Sequence, residues 1–261
     1  MTKTITAVVL AALAAPGVAR AEVKTQELDY KQGDTVLQGF VAWDGAHKGK
    51  RPGVLVVHEW WGHNKHAREQ ARRLAQAGYV AFALDMYGKG KVATHPKDAQ
   101  AFLAEAMKDQ KAIGARFSAA MAALKARPEV DGKHVAAVGY CFGGAVVLAQ
   151  ARMGADLAAV VAFHAPLAPN GAVATKGKVK AEILVNTGGA DKMVPEAQIA
   201  AFKKEMAAAG AKAEVIVYPG AKHSFTNPDA DKMGMDAIGY DADADKKSFA
   251  ATLALFKRIW K

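Results

Sequence analysis

The chain reads Gly139-Tyr140-Cys141-Phe142-Gly143 around the one cysteine in its 261 residues. This is the G-x-S-x-G pattern of a nucleophile elbow, with sulfur in place of the serine oxygen. In an elbow a β-strand ends at the first glycine, a sharp turn presents the nucleophile, and a helix follows. The apolar run 134–138 predicts the strand, and the apolar run that starts at Ala145 predicts a helix to about Met153. The pattern predicts acyl transfer through a thiolate.

The position of Cys141 in this turn has a chemical consequence. At the start of a helix, the macrodipole and the unpaired N–H groups favour a thiolate over a thiol. Gly139 and Gly143 remove side chains that would collide with neighbouring elements in the sharp turn. The alternative is an inert, buried cysteine in a glycine-rich turn, because free cysteine often behaves as a small core hydrophobe.

Strands and helices alternate along the rest of the chain. The segments 25–30 and 36–43 flank Gly33-Asp34 and predict an antiparallel hairpin. Later apolar strands alternate with helical segments, including a helical stretch over 97–126 that we expect to break near Gly114. This alternation predicts right-handed crossovers and a mostly parallel sheet with helices on both faces. We therefore predict a single α/β domain over residues 22–261.

Residues 1–21 are predicted to be an export signal and not part of this domain. Lys3 precedes an apolar run over 5–15, and Ala19-Arg20-Ala21 forms an A-x-A cleavage site, which is typical of a secretory signal peptide. We expect cleavage after Ala21 and a periplasmic location. Exported proteins usually carry paired cysteines, so a single one indicates either a reactive thiol or a buried, inert residue.

The charge pattern argues against several classes of partner. The full chain carries a net charge of +10, and loss of Lys3 and Arg20 with the leader leaves +8. The lysines are scattered and no dense basic run is interleaved with aromatic residues, which indicates a solvated basic surface and no nucleic-acid binding. No later segment reaches the roughly 18 apolar residues of a membrane span. We expect a monomer that needs no cofactor.

Two short clusters resemble metal sites only in part. His58, His63 and His66 lie close in sequence, but no acid or cysteine set completes a zinc site. Residues 241–245 (DADAD) resemble the start of a calcium loop, but the following glycine and the closing glutamate are absent. Negative charge at the N-terminus of the last helix explains the acidic cluster better, and we expect no metal.

A thiolate nucleophile needs a base, and the base needs an acid, each on a loop after its own strand. Asp191 lies in a glycine-rich loop after the predicted strand 181–186, and His223 follows the next strand, 213–217. Taken singly, Asp191 could cap the next helix or its turn, and His223 could be a surface residue. Nucleophile, acid and base in this chain order favour a triad of Cys141, Asp191 and His223.

Oxyanion stabilisation requires two backbone N–H groups beside the nucleophile. One is expected from Phe142, the residue after the nucleophile, and the other from the loop 58–62 after the predicted strand 53–57. Trp60 is the candidate donor in that loop. Trp60 and Trp61 also indicate an apolar mouth for the site, although ordinary packing of a loop explains two tryptophans equally well.

Five spaced motifs together resemble the dienelactone hydrolase family, a branch of the α/β-hydrolase fold. They are residues 58–62 (HEWWG), 85–87 (DMY), 139–144 (GYCFGG), 188–195 (GGADKMVP) and 218–225 (YPGAKHSF). The resemblance runs from about Thr25 to the C-terminus. It implies the same triad and adds a role for Glu59, an acid that contacts the resting thiol and moves away when substrate binds. Without the resemblance, Glu59 would be interpreted as a buried ion-pair partner.

The chain departs from the family pattern at two positions. The family uses two arginines to hold a substrate carboxylate, and the chain has Lys89 and Asn227 there. Lysine keeps a charge but lacks the bidentate fork, and asparagine has no charge. We expect Trp61, Tyr87, Lys89 and Asn227 to contact the substrate, while hydrolysis of dienelactone itself is in doubt.

Two functions of different classes follow from these residues. The first is hydrolysis of a small-molecule ester or lactone through a thioester on Cys141. The second is an exported, non-catalytic protein on the same fold that binds a small molecule or senses redox state through Cys141.

Overall fold

The computed structural model describes residues 22–169 and 171–261. The predicted export signal, residues 1–21, lies outside the described residues. Eight strands form one sheet in the order β1-β2-β4-β3-β5-β6-β7-β8. In chain order they are β1 (Val23–Gln32), β2 (Thr35–Asp44), β3 (Arg51–Val57), β4 (Val80–Leu84), β5 (Val130–Tyr140), β6 (Ala159–Phe163), β7 (Glu182–Gly188) and β8 (Ala213–Tyr218).

The direction of the strands confirms the predicted sheet. β1 and β2 form the antiparallel hairpin, and β2 pairs antiparallel with β4. From β4 to β8 all neighbouring strands are parallel. The structure is the predicted mostly parallel α/β sheet with an N-terminal antiparallel hairpin.

Helices cover both faces of the sheet. They are α1 (Lys65–Gln76), α2 (Pro96–Met107), α3 (Gln110–Lys125), α4 (Phe142–Arg152), α5 (Glu196–Ala209) and α6 (Ala242–Ile259). Side chains of one strand alternate between the faces, so Leu55 packs in the core under α2 to α5 while Val54 packs in the core under α1 and α6. Within the described residues, no helix has the length and apolar character needed to cross a membrane.

The predicted helical stretch over 97–126 divides at a different place from the one expected. The break falls at Lys108 and Asp109, and Gly114 lies inside α3. The Asp109 side chain accepts a hydrogen bond from the Ala112 N–H at 2.9 Å, which caps the new helix. A capping acid therefore determined the boundary, and the glycine was tolerated within the helix.

The acidic cluster near the C-terminus caps the last helix, as predicted. The Asp241 side chain accepts hydrogen bonds from the N–H groups of Asp243 and Ala244 at 3.1 and 3.0 Å. Helix α6 consequently begins at Ala242, inside the acidic cluster 241–245. Acidic residues in its first turn complement the positive end of the helix dipole.

Candidate active site

Cys141 occupies a strained turn between β5 and α4. Its φ is 52° and its ψ is −116°, a conformation that non-glycine residues rarely adopt. Its N–H bonds the Phe163 carbonyl of the neighbouring strand at 3.0 Å, which holds the turn against the sheet. A Cβ on Gly139 would collide with the backbone of Gly143, and one on Gly143 with the carbonyl of Val57. The glycines of the motif are therefore required by close backbone approach.

His223 and Asp191 meet at the carboxyl edge of the sheet. Asp191 follows β7, His223 follows β8, and the His223 Nδ1 lies 2.8 Å from the Asp191 Oδ2. Both side chains are buried, so His223 is not a surface residue. Asp191 also accepts the Met193 N–H at 2.9 Å, whereas α5 begins after Pro195, which excludes Asp191 as the cap of that helix.

The electrostatic setting of His223 favours its charged form. Burial lowers the pKa of His223, but the negative charge of Cys141 and the hydrogen bond to Asp191 outweigh this and raise the pKa to about 10. Because Nδ1 is used by Asp191, Nε2 is the nitrogen available to exchange a proton with Cys141. The pair is suited to an imidazolium beside a thiolate.

A cavity of about 300 Å³ opens at Cys141 and His223. Trp60 and Phe142, the predicted oxyanion residues, contribute to the same wall. The remaining wall is mostly apolar and comes from α2, α3, α4 and three loops, with members such as Leu103, Met107, Ile113, Val146, Met193 and Met235. The volume lies at the lower end of the range for small-molecule sites.

Tyr87 fixes the loop that carries Trp60. Its hydroxyl donates to the Trp60 carbonyl at 3.1 Å, and its ring stacks on Phe142 with centroids 5.6 Å apart. The Gly143 N–H donates to the His58 carbonyl at 3.1 Å, which ties the same loop to the elbow. The two candidate oxyanion donors are thus held relative to one another by a buried aromatic contact and a backbone hydrogen bond.

Glu59 is buried and both of its carboxylate oxygens are bonded. Ser224 Oγ donates to Oε1 at 2.6 Å, and Asn227 Nδ2 donates to Oε2 at 2.7 Å. His66 Nδ1 lies 3.6 Å from Oε2. Among the described residues, no hydrogen bond joins Glu59 to Cys141. The carboxylate is instead bonded to the loop that carries His223.

These contacts belong to a larger group of buried side chains, here called the polar network. His66 Nε2 lies 3.1 Å from Gln70 Nε2, and the Tyr140 hydroxyl donates to Gln70 Oε1 at 3.1 Å. Thr226 Oγ1 lies 2.8 Å from His164 Nε2, and the His164 ring contacts the His223 ring with centroids 5.1 Å apart. The network consists of Glu59, His66, Gln70, Tyr140, His164, Ser224, Thr226 and Asn227.

Comparison with known proteins assigns the chain to a family. Residues 37–260 match the dienelactone hydrolase family. The chain belongs to the dienelactone hydrolase family. It is accordingly an α/β-hydrolase that acts on ester or lactone bonds, as the motifs predicted.

Individual relatives agree with this assignment. A Methylorubrum extorquens protein named "Putative carboxymethylenebutenolidase" is 31% identical over 74% of this chain and 69% of its own length. The crystal structure of a dienelactone hydrolase-like promiscuous phosphotriesterase from metagenomic libraries is 38% identical, with a TM-score of 0.86. That match covers 91% of this chain and 98% of the other. A Klebsiella pneumoniae structure, 24% identical with a TM-score of 0.77, shares the fold.

The four predicted substrate contacts lie outside the cavity wall of this dienelactone hydrolase family member. Trp61 is buried against Ala99, and Tyr87 is directed to the Trp60 carbonyl. Lys89 forms a surface ion pair with Asp29, and Asn227 is buried against Glu59. Trp61 is packed and the other three side chains are bonded to protein partners, so the structure does not bring the four together at the cavity.

Sequence reasoning missed the wall formed by α2 and α3. Leu103, Met107 and Ile113 come from this pair of helices, which carried no motif. Their apolar side chains are indistinguishable in sequence from ordinary core positions. Ser224 lies in the motif 218–225, but its bond to Glu59 joins residues 165 positions apart, which no local pattern indicates.

Proposed function

We propose that the protein hydrolyses carboxylic esters or lactones through a thioester on Cys141. The observation that carries the proposal is the position of Cys141 and His223 in one cavity wall, with Asp191 2.8 Å from the far nitrogen of His223. A strained nucleophile, a charged histidine and an orienting acid are the three parts that nucleophilic acyl transfer requires.

The reaction would proceed in two balanced steps. Cys141 Sγ attacks the carbonyl carbon, and the N–H groups of Trp60 and Phe142 stabilise the oxyanion. The imidazolium of His223 gives its proton to the leaving alkoxide, so that an alcohol departs and a thioester remains. Water then loses a proton to His223 and attacks the thioester, and the acid leaves as the thiolate re-forms. Asp191 holds the imidazole orientation throughout.

The effect of Glu59 on ionisation of the Cys141 thiol would depend on where its hydrogen-bond partners hold the carboxylate. A carboxylate close to a thiol disfavours ionisation of that thiol. Here Ser224 and Asn227 bind both Glu59 oxygens, and this supports a role in which the two donors keep the carboxylate away from Cys141.

Replacement of Cys141 tests the proposal directly. We expect C141A to lose about ten-thousand-fold or more in turnover of 4-nitrophenyl acetate, because the residues of a triad act as a unit. Mass spectrometry of the wild-type protein under turnover should show an acetyl adduct at Cys141. C141S, which keeps a weaker nucleophile, and the melting temperature of both variants serve as controls for folding.

Full turnover by C141A would contradict the mechanism. Alkylation of Cys141 with iodoacetamide separates the enzyme from the binding or redox-sensing alternative. An ester substrate should protect the thiol in the enzyme, whereas a non-catalytic protein would show alkylation that esters do not slow. Because Cys141 is the only cysteine in the sequence, the adduct reports on this site alone.

A neutral phosphotriester is a second candidate substrate. The relative from metagenomic libraries, 38% identical over 91% of this chain, is described as a promiscuous phosphotriesterase. The apolar wall around Cys141 favours a neutral ester of either acid. Release of 4-nitrophenol from diethyl 4-nitrophenyl phosphate by wild type, and its loss in C141A, tests this activity.

A further inference from the structure

The wall of the catalytic cavity carries almost no polar chemistry beyond Cys141 and His223. Among the residues that the structure describes, its one other polar side chain is Gln110, at the start of α3. Over the described ranges 22–169 and 171–261, no aspartate, glutamate, lysine or arginine contributes to it. A substrate that enters this cavity consequently leaves water for apolar surroundings, with no charged side chain to receive it other than the Cys141–His223 pair.

The lysines of the neighbouring loop do not supply the missing charge. Lys89 forms an ion pair with Asp29, and Lys91 with Glu105 at 2.8 Å. All four of these side chains are at least partly exposed and lie outside the cavity wall. Asn227, the other position where a cation would be expected, is buried and donates to Glu59.

From these contacts we infer that the site selects neutral, apolar esters and lactones over those that carry a carboxylate. The inference rests on the proposed function and narrows it to a class of substrate. An anion transferred into an apolar cavity loses its hydration, and only a paired cation or several donors can replace it. Apart from His223 and the oxyanion donors, which the reaction itself uses, the described wall offers no cation and only one uncharged amide, that of Gln110.

Three methionines make the same wall adaptable. Met107, Met193 and Met235 come from α2 and from two separate loops, so they line different sides of the cavity. Methionine is unbranched and flexible, and it packs against ligands of varied shape. The site therefore tolerates changes in the acyl chain better than it tolerates a charge on that chain.

A matched pair of esters tests the inference. 4-Nitrophenyl valerate and mono-4-nitrophenyl glutarate have acyl chains of equal length, which end in a methyl group and a carboxylate respectively. We expect kcat/KM of the wild-type protein for valerate to exceed that for glutarate by about 100-fold or more, because the cavity leaves the carboxylate unpaired. Both esters release the same alcohol, so the chemical step is matched.

A positive charge placed at the cavity mouth should reduce the difference in kcat/KM between the two esters. Met193 lines the cavity and is 43% exposed, so M193R can hold a guanidinium without burying it. We expect M193R to reduce the ratio of valerate to glutarate by about fivefold, which is the effect of a partly exposed ion pair. Met153 is 46% exposed and lies outside the cavity, so M153R should leave the ratio unchanged.

The outcomes separate the inference from the proposed function. Equal kcat/KM for the two esters, with an acyl-enzyme at Cys141 from both, would overturn the substrate class and leave the thioester mechanism standing. Failure of both esters to form an acyl-enzyme would overturn the proposed function and the inference with it. An identical change of the ratio in M193R and M153R would show that surface charge, and not the cavity, determines selection.

Discussion

The cavity and the polar network divide the same two loops between them. In the loop after β3, Trp60 lines the cavity while its neighbour Glu59 belongs to the network. In the loop after β8, His223 lines the cavity while Ser224 bonds Glu59. Adjacent residues thus serve opposite regions. The apolar cavity wall selects the substrate, and the hydrogen bonds of the polar network determine the positions of the two catalytic loops.

The two regions depend on different kinds of interaction. Contacts in the cavity wall are apolar and non-directional, so a side chain of similar volume can replace another at small cost. Contacts in the network are buried hydrogen bonds, and removal of one partner leaves the other unsatisfied. We therefore expect substitutions in the network to be costly and conservative substitutions in the wall to be tolerated.

The largest effect is expected at His223, which borders both regions. D191N removes a carboxylate that helps to raise the pKa of His223 and that holds its orientation. We expect kcat/KM for neutral esters to fall about 1,000-fold. The pKa of His223 is about 10 in the wild type, so its activity should persist as the pH rises and decline only near that value. In D191N the decline should move to lower pH, because the imidazolium has lost a stabilising anion.

The pH profile distinguishes this electrostatic role from simple misfolding. D34N, in the exposed turn of the β1–β2 hairpin, is the matched control and should keep both the rate and the profile. The sign for stability is the same as that for activity. Because folding raises the pKa of His223, protonated His223 stabilises the fold fully at pH values below 6.5, the ordinary pKa of histidine. This stabilisation is lost as the pH rises to about 10. If the activity of D191N declined at the same pH as that of the wild type, Asp191 would not be a group that raises the pKa of His223.

The next effect concerns the anchor of the polar network. E59A leaves the Ser224 hydroxyl and the Asn227 amide buried without their acceptor. We expect the free energy of unfolding to fall by about 3 kcal/mol, the sum of two unsatisfied donors. Urea denaturation should show a lower midpoint with an unchanged slope, since the surface exposed on unfolding is the same.

E59Q is the matched variant for this position. Glutamine keeps the size and one acceptor oxygen, but its NH₂ group faces one of the two donors. The loss should therefore be smaller, about 1 to 2 kcal/mol. Equal stability of E59A and wild type would mean that the network does not hold the loop that carries His223.

The contrast between the regions also explains what could be predicted from sequence. Cys141, Asp191 and His223 each follow a strand and lie in glycine-rich segments, so local pattern and chain order predict that they meet at the carboxyl edge of the sheet. The alternation of strands and helices was likewise enough for the sheet. These features are local, and the carboxyl ends of parallel strands bring them together without further information.

The four predicted substrate contacts lie outside the cavity wall, because such contacts depend on where side chains point. Asn227 and Lys89 lie in the expected motifs, but Glu59 and Asp29 engage them. Such pairings join residues that are 168 and 60 positions apart in the chain. The helix boundary differs from the prediction for a simpler reason, since the Asp109 side chain caps α3 whereas Gly114 is tolerated inside it.

The smallest effect is expected in the cavity wall itself. M107L replaces one flexible apolar side chain by another of similar volume. We expect a loss of less than about 1.5 kcal/mol in the free energy of unfolding, well below that of E59A. Turnover of 4-nitrophenyl valerate should change little, because the wall remains apolar.

A polar side chain of nearly the same length sharpens the test. M107Q keeps the chain flexible but adds an amide that must lose water when an apolar substrate binds. It should weaken turnover of valerate more than M107L does, while its stability stays close to wild type because Met107 is only partly buried. If M107L were as destabilising as E59A, packing of the wall would be as specific as the hydrogen bonds of the network, and the division between the two regions would not hold.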